Sequence, residues 1–261
     1  MKIEVRDQLG NLVQLDGPAR RIVSLVPSQT EWLAYLGLED HVVGITKFCV
    51  HPFSWKKKKN IIGGTKSVHF ERIRQLEPDL IIGNKEENTR DVMDALSTRY
   101  NCYISDVSDL DSAIEMMKDI GKLTGTEDKA THFTDHLKWL YSRTLNSTLP
   151  KNAEQVAYVI WNEPVMVAGN ETYIHQILSS MGWKNAFGDR ERYPVIEDEE
   201  WKERKVDAVL LSSEPFPFSE KHFPEFEDRV PGADIRLVDG ELFSWYGWRL
   251  VKTLTILPNF E

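Results

Sequence analysis

Apolar residues along this chain recur at two periods, and the switches between them outline its elements. Residues 3–5 and 12–14 alternate around a Gly10-Asn11 turn, which predicts an opening hairpin. Residues 22–26 form a β-branched run that breaks at Pro27. There Ser28-Gln29-Thr30-Glu31 reads as a capping box, and Trp32, Leu33, Tyr35 and Leu36 carry a helix to Gly37. The alternation continues with strand 42–45, helix 70–76, strand 80–82, helix 87–100 and strand 102–104. Over residues 110–149 it stops. Ile114, Met117, Ile120 and Leu123 keep helical spacing up to Gly125, and Thr126 caps a second helix. Its stripe runs through Ala130, Phe133, Leu137 and Leu140 toward Leu145 and Pro150. That helix is expected to span about 23 residues, on the order of 34 Å. Strands follow at 155–160, 209–211 and 236–238, with helices near 173–181, 199–204 and 246–255.

Strand–helix alternation on both sides of a helical middle predicts an α/β protein of two Rossmann-like lobes with largely parallel sheets. The lobes are expected at 1–108 and 151–261, joined by a connector at 109–150 that contains one long backbone α-helix. The flanks echo each other. Glu71 and Glu199 each open a short helix, with Asp79 and Asp207 eight residues on and a buried strand after that. Polar turns at 27–32 and 169–174 each feed a helix that stops at Gly37 or Gly182. Duplication across a long helix predicts two similar lobes facing each other, with a ligand cleft beyond the carboxyl ends of the strands. A helical connector makes large hinge closure costly.

Charge and composition narrow the partners. The 261 residues carry 32 Lys and Arg against 41 Asp and Glu, a formal charge of −9. That balance argues against nucleic acid and against a polybasic membrane anchor. No uncharged apolar run reaches the roughly 18 residues a membrane span needs, and the first residues lack the apolar stretch of a secretory signal. Cys49 and Cys102 stand in no metal or redox spacing; they read as two buried thiols, with a disulfide as the alternative.

The loops expected at the cleft are aromatic: Phe48 with His51 and Phe53, then Trp161, Tyr193, and the four rings Phe243, Trp245, Tyr246 and Trp248. Neighbouring residues on a helix point apart, so these last four cannot share one buried face. Clustered exposed rings suit a large, flat or amphipathic ligand; core filling by Trp245 and Trp248 is the plainer alternative. No catalytic or metal-ligating set emerges. Residues 62–66 lack P-loop spacing, no G-x-S-x-G elbow occurs, and His132 and His136 lack the glutamate of a zinc motif and belong on a polar face. The lysine run at 56–59 reads as a solvated loop. Glu71 and Glu199 suit helix starts electrostatically, and as a matched pair they would also suit basic pockets on a two-fold symmetric partner.

Several stretches together resemble the helical-backbone (class III) substrate-binding proteins of ABC importers, most of all the cobalamin-binding branch. They are Arg21-Ile-Val-Ser-Leu-Val-Pro-Ser-Gln-Thr-Glu31, Val43-Gly44-Ile45, Gly63-Gly64-Thr65-Lys66, Glu71-Arg72-Ile73, Glu77-Pro78-Asp79-Leu80-Ile81-Ile82 and Asp239-Gly240. The resemblance implies a non-catalytic protein that captures a corrinoid or similar large metal chelate and delivers it to an ABC importer permease dimer. It implies a monomer, no intrinsic cofactor, and a periplasmic or cell-surface location; without a signal, a cytoplasmic one is the alternative. Phe48, His51, Trp161, Tyr193, Glu241, Phe243, Trp245 and Tyr246 fall on the loops that pack the corrin, and Glu71 and Glu199 on the docking glutamates. Where that branch has tryptophans in the first lobe, this chain has Lys66 and Asn84, and Lys66 with Lys85 would suit an anionic siderophore or haem propionates. A ferric siderophore or haem carrier is therefore the second reading. An intracellular corrinoid-handling enzyme or chaperone is the rival of another class.

Overall fold

Residues 80–84 and 208–212 are buried at every position, as befits central strands of parallel sheets covered on both faces. Each is an interior strand of its own sheet in a computed structural model, which describes residues 2–144 and 153–256. Among these, one compact unit comprises 2–107, 111–138 and 246–249, and a second comprises 108–110, 139–144, 153–245 and 250–256. The expected two-lobed α/β class is the class observed.

The first unit opens with the hairpin of β1 (Ile3–Arg6) and β2 (Leu12–Leu15), paired antiparallel. Its sheet contains β3 (Ile22–Ser24), β4 (Val42–Ile45), β5 (Asn60–Ile61), β6 (Leu80–Asn84) and β7 (Cys102–Ser105). Their order is β5-β4-β3-β6-β7, parallel throughout. The connecting helices are α1 (Pro27–Leu36), α2 (Phe53–Lys58), α3 (Phe70–Leu76) and α4 (Arg90–Ser97). Then come α5 (Leu110–Thr124) and α6 (Glu127–Thr144), the helical middle of the chain; Leu145 and Pro150, expected at its end, lie outside the described residues.

In the second unit, β8 (Gln155–Trp161), β10 (Lys184–Asn185), β11 (Ala208–Ser212) and β12 (Asp234–Val238) run parallel in the order β10-β8-β11-β12, and β9 (Met166–Val167) pairs antiparallel with β8. Its helices are α7 (Tyr173–Ser180), α8 (Asp198–Glu203), α9 (Phe223–Arg229), α10 (Gly240–Ser244) and α11 (Arg249–Ile256). Trp201 anchors this core, edge-on to Phe187 at 4.9 Å and to Phe226 at 6.3 Å.

The repeated aspartates do the same work in both units. The Asp79 carboxylate accepts from the N–H groups of Arg20 and Arg21 at 2.7 and 3.0 Å, just ahead of β3. Asp207 accepts from the N–H of Gln155 at 2.9 Å, where β8 begins. Each carboxylate thus satisfies backbone donors at the start of the neighbouring strand.

Four expectations are corrected. The capping box at Ser28 does not form: Val26 is the N-cap and Pro27 starts α1, while the Glu31 carboxylate is taken by Arg249 at 2.8 Å. The helix expected from 87 begins at Arg90, because Thr89 caps it by accepting from the Val92 N–H. Lys56, Lys57 and Lys58 of the lysine run belong to α2, whose Trp55 is buried, and not to a loop, and Lys59 is its C-cap. The final helix, expected from 246, begins at Arg249 as α11, after Gly247, whose φ of +104° a residue with a Cβ rarely adopts, and the separate short α10 precedes it. Cys49 and Cys102 are both buried and free.

Candidate functional site

Ligands of parallel α/β sheets bind beyond the carboxyl ends of the strands, and each unit presents such ends. In the first unit, three phenylalanines stand exposed there: Phe48 after β4, and Phe53 and Phe70 at the first positions of α2 and α3. Phe53 is 67% exposed, a cost no core requirement explains. Lysines lie over two of these rings, Lys47 Nζ 5.0 Å from the Phe48 centroid and Lys57 Nζ 5.1 Å from that of Phe53. Beneath Phe48 runs the turn from Gly63 to Val68, where Gly63 takes a φ of +116° and the Gly64 N–H donates to the Ser67 carbonyl at 2.7 Å. Lys66 sits exposed in that turn. His51 is partly exposed and precedes a cis proline, Pro52.

Asn84 is not a free ligand-binding group. It is buried; its amide donates to the Ser105 carbonyl and hydroxyl at 3.2 and 3.0 Å, and its Oδ1 accepts from the Glu86 and Glu87 N–H groups. Every polar valence of this side chain is spent shaping the loop after β6. Lys85 pairs with Asp106 at 2.6 Å, so its charge is partly cancelled. Tyr246 is likewise interior, its hydroxyl accepting from Gln29 Nε2 at 3.5 Å, and burial pushes its phenol up from the ordinary value.

In the second unit, Trp161 ends β8 with 39% of its surface exposed. Its ring meets Phe216 edge-on at 5.6 Å, and its indole N–H donates to the Glu163 carbonyl. Tyr193 is partly exposed beside Pro194, whose carbonyl accepts from the Val167 N–H on β9 at 3.2 Å, next to Met166, the register partner of Trp161. Trp245 is buried and donates from its indole to Glu214 Oε1 at 2.6 Å, a carboxylate that also accepts from the Ser244 hydroxyl. Burial pushes the Glu214 carboxyl up, opposed by those two hydrogen bonds. Phe243 is fully buried against Tyr158 at 5.1 Å and fills the core. Glu241 is partly exposed at the start of α10, its N–H donating to the Asp239 side chain.

The expected set therefore separates. Phe48, His51, Lys66, Trp161, Tyr193 and Glu241 keep exposed surface; Asn84, Phe243, Trp245 and Tyr246 are interior groups that shape the loops. Sequence reading missed Phe70, Phe216 and Glu214. Phe70 was detectable as an apolar residue among polar ones at a helix start; Glu214 was not, since its role depends on Trp245.

The two glutamates differ in their surroundings. Glu71 is exposed and gripped by Arg74 through two bonds of 2.9 and 2.6 Å, which hold its carboxyl below the usual range. Glu199 is exposed on α8 and makes no hydrogen bond or ion pair among the described residues, while its neighbours Asp198 and Glu200 pair with Arg229 and Arg204. Among the described residues no three His, Cys, Asp or Glu side chains come together as a metal site, and no helix is long and apolar enough to cross a membrane.

The sequence is 27% identical over 219 residues to an uncharacterized ABC transporter substrate-binding lipoprotein of Bacillus subtilis, covering 80% of this chain and 69% of that protein. It is 26% identical over 203 residues to a vitamin B12-binding protein of Yersinia pestis, covering 74% of this chain and 70% of that one. Its fold matches a solved possible iron-binding (periplasmic solute-binding) protein of Staphylococcus epidermidis with a TM-score of 0.76 and 25% identity, over 93% of this chain and 98% of the other. The periplasmic binding protein pattern itself matches residues 22–230. A match of that length places the chain in the periplasmic binding protein family, a family of binding proteins and not of enzymes.

Proposed function

We propose that this protein captures a corrinoid or a similarly large metal chelate on the aromatic carboxyl-terminal faces of its sheets and delivers it to an ABC importer. The observation that carries the reading is the exposure of Phe48, Phe53, Phe70 and Trp161 at those strand ends. Rings left in water there supply area to a flat ligand without an internal packing role. Glu71 and Glu199 are the contacts we assign to the permease, and the compartment we assign is periplasmic or cell-surface.

A ferric siderophore or haem is the second reading. It is favoured by the lysines over Phe48 and Phe53 and by exposed Lys66, which would meet a carboxylated chelate. An enzyme of corrinoid metabolism has no support in a family of binding proteins. A thermal-shift screen with cyanocobalamin, haemin and a ferric siderophore tests the assignment. Ligand at a hundred times its dissociation constant adds about 2.7 kcal/mol, which raises the melting temperature of a chain this size by roughly 5–10 °C. A shift with cyanocobalamin supports the first reading and a shift with haemin or the siderophore the second; no shift with any of them contradicts both.

A further inference from the structure

A cavity of about 410 Å3 lies at the amino-terminal end of the second unit's sheet. Gln155, the first residue of β8, lines it, with Lys184 beside it in register on β10. Lys205 enters from the other flank, two residues before Asp207, whose N–H donates to the Gln155 carbonyl at 2.8 Å. Trp161 is at the opposite end of β8. The cavity is therefore remote from the strand ends assigned to the chelate, and that function leaves it unused.

Its wall is rich in donors. Lys184 is exposed and makes no ion pair among the described residues. Lys205 pairs with Asp207 at 3.0 Å, a surface pair of small worth that a second anion can share. Among the described residues the one acid in the wall is Asp189, and it is consumed: Arg204 donates to both of its oxygens at 2.6 and 2.9 Å. Asn185 fixes the tautomer of His175. The Asn185 Oδ1 accepts from the Phe187 N–H at 3.0 Å and its Nδ2 donates to the Ala168 carbonyl, so the amide cannot be flipped. That Nδ2 lies 3.2 Å from His175 Nδ1, which must accept, leaving Nε2 as the protonated ring nitrogen. Burial holds the His175 pKa below its ordinary value, so the neutral ring presents an N–H donor.

We propose that this cavity binds a phosphate group, free or on a lipid headgroup, between Lys184, Lys205 and His175. Two flexible ammonium groups approaching from opposite flanks suit a tetrahedral dianion, whereas the planar Arg204 fork that would suit a carboxylate already holds Asp189.

The test is an NMR titration of the whole chain with labelled histidines, comparing potassium phosphate with potassium chloride at equal ionic strength. The expected result is a saturable shift of the His175 ring resonances with phosphate, its midpoint below about 10 mM. Losing one charged donor in Lys184→Gln should weaken it about tenfold, and Lys184→Gln with Lys205→Gln should abolish it while cyanocobalamin or haemin binding and the circular dichroism spectrum stay unchanged. Sedimentation with phosphatidic acid vesicles separates the sources: capture that phosphate reverses assigns a headgroup, and phosphate binding without capture assigns the free ion. No shift, an equal shift with chloride, or a shift that persists in the double variant would overturn the site.

Discussion

Asp119 shows how one side chain couples this fold to pH. It accepts from the Tyr103 hydroxyl at 2.9 Å, and burial pushes its carboxyl up to about 6. The folded state therefore binds the proton more tightly than the unfolded chain, whose carboxyl titrates near the ordinary value of about 4. The stabilisation linked to that proton is full below the unfolded pKa and is lost as pH rises through 6. Asp119→Asn keeps the acceptor for Tyr103 and removes the charge. It is expected to leave stability at pH 4 nearly unchanged and to raise it at pH 8, as read from urea midpoints at the two pH values. Legibility at this scale divides by exposure. The exposure of Trp161 is legible because it ends a strand, where parallel sheets leave side chains open to a ligand. The burial of Asn84 and Phe243 is not, because hydrogen bonds to Ser105 and packing on Tyr158 bring together positions 21 and 85 residues apart.

Elements fixed by one periodic face and one breaker were read correctly, and those fixed by distant partners were not. The stops at Gly37 and Gly125 and the strands around 80 and 209 follow from local pattern alone. The helix α2 hides beneath four lysines, and only the burial of Trp55 marks it. Near the carboxyl end, residues 246–249 return to the first unit. There Trp248 stacks on Tyr35 at 4.9 Å, and Arg249 makes a buried two-bond ion pair with Glu31, at 3.1 and 2.8 Å. This pair, joining positions 218 residues apart, takes the carboxylate that spacing assigns to a capping box. Removing one member strands a buried charge. Arg249→Met is expected to cost about 3–5 kcal/mol, while Glu31→Met with Arg249→Met costs far less, since a well-packed apolar pair can match a buried ion pair. Denaturant unfolding of the three proteins checks the order; equal losses in the single and double variants would contradict it.

For the whole molecule, duplication is the feature that sequence carried furthest. Asp79 and Asp207 were matched by spacing, and each proves to anchor the start of a neighbouring strand. The same repeat places Glu71 and Glu199 at corresponding helix starts. Both are exposed, so replacing them disturbs no core. Glu71→Ala with Glu199→Ala is expected to leave chelate affinity within about twofold, because surface substitutions change folding energies by no more than about 0.5 kcal/mol, and to abolish importer-dependent uptake into cells. Unchanged uptake would remove the docking role; lost affinity would move these carboxylates into the ligand site.

Exposed rings at the strand ends are expected to hold the ligand without chemistry. Tryptophan fluorescence of the purified chain, titrated with whichever of cyanocobalamin or haemin shifts its melting, reads this directly in the native protein and in Trp161→Ala. The predicted result is saturable quenching with the ligand recovered intact, and a loss in the variant of roughly 2–10-fold in affinity at unchanged melting temperature, the worth of one aromatic contact. Equal affinity in the two proteins, or conversion of the bound ligand, would contradict it.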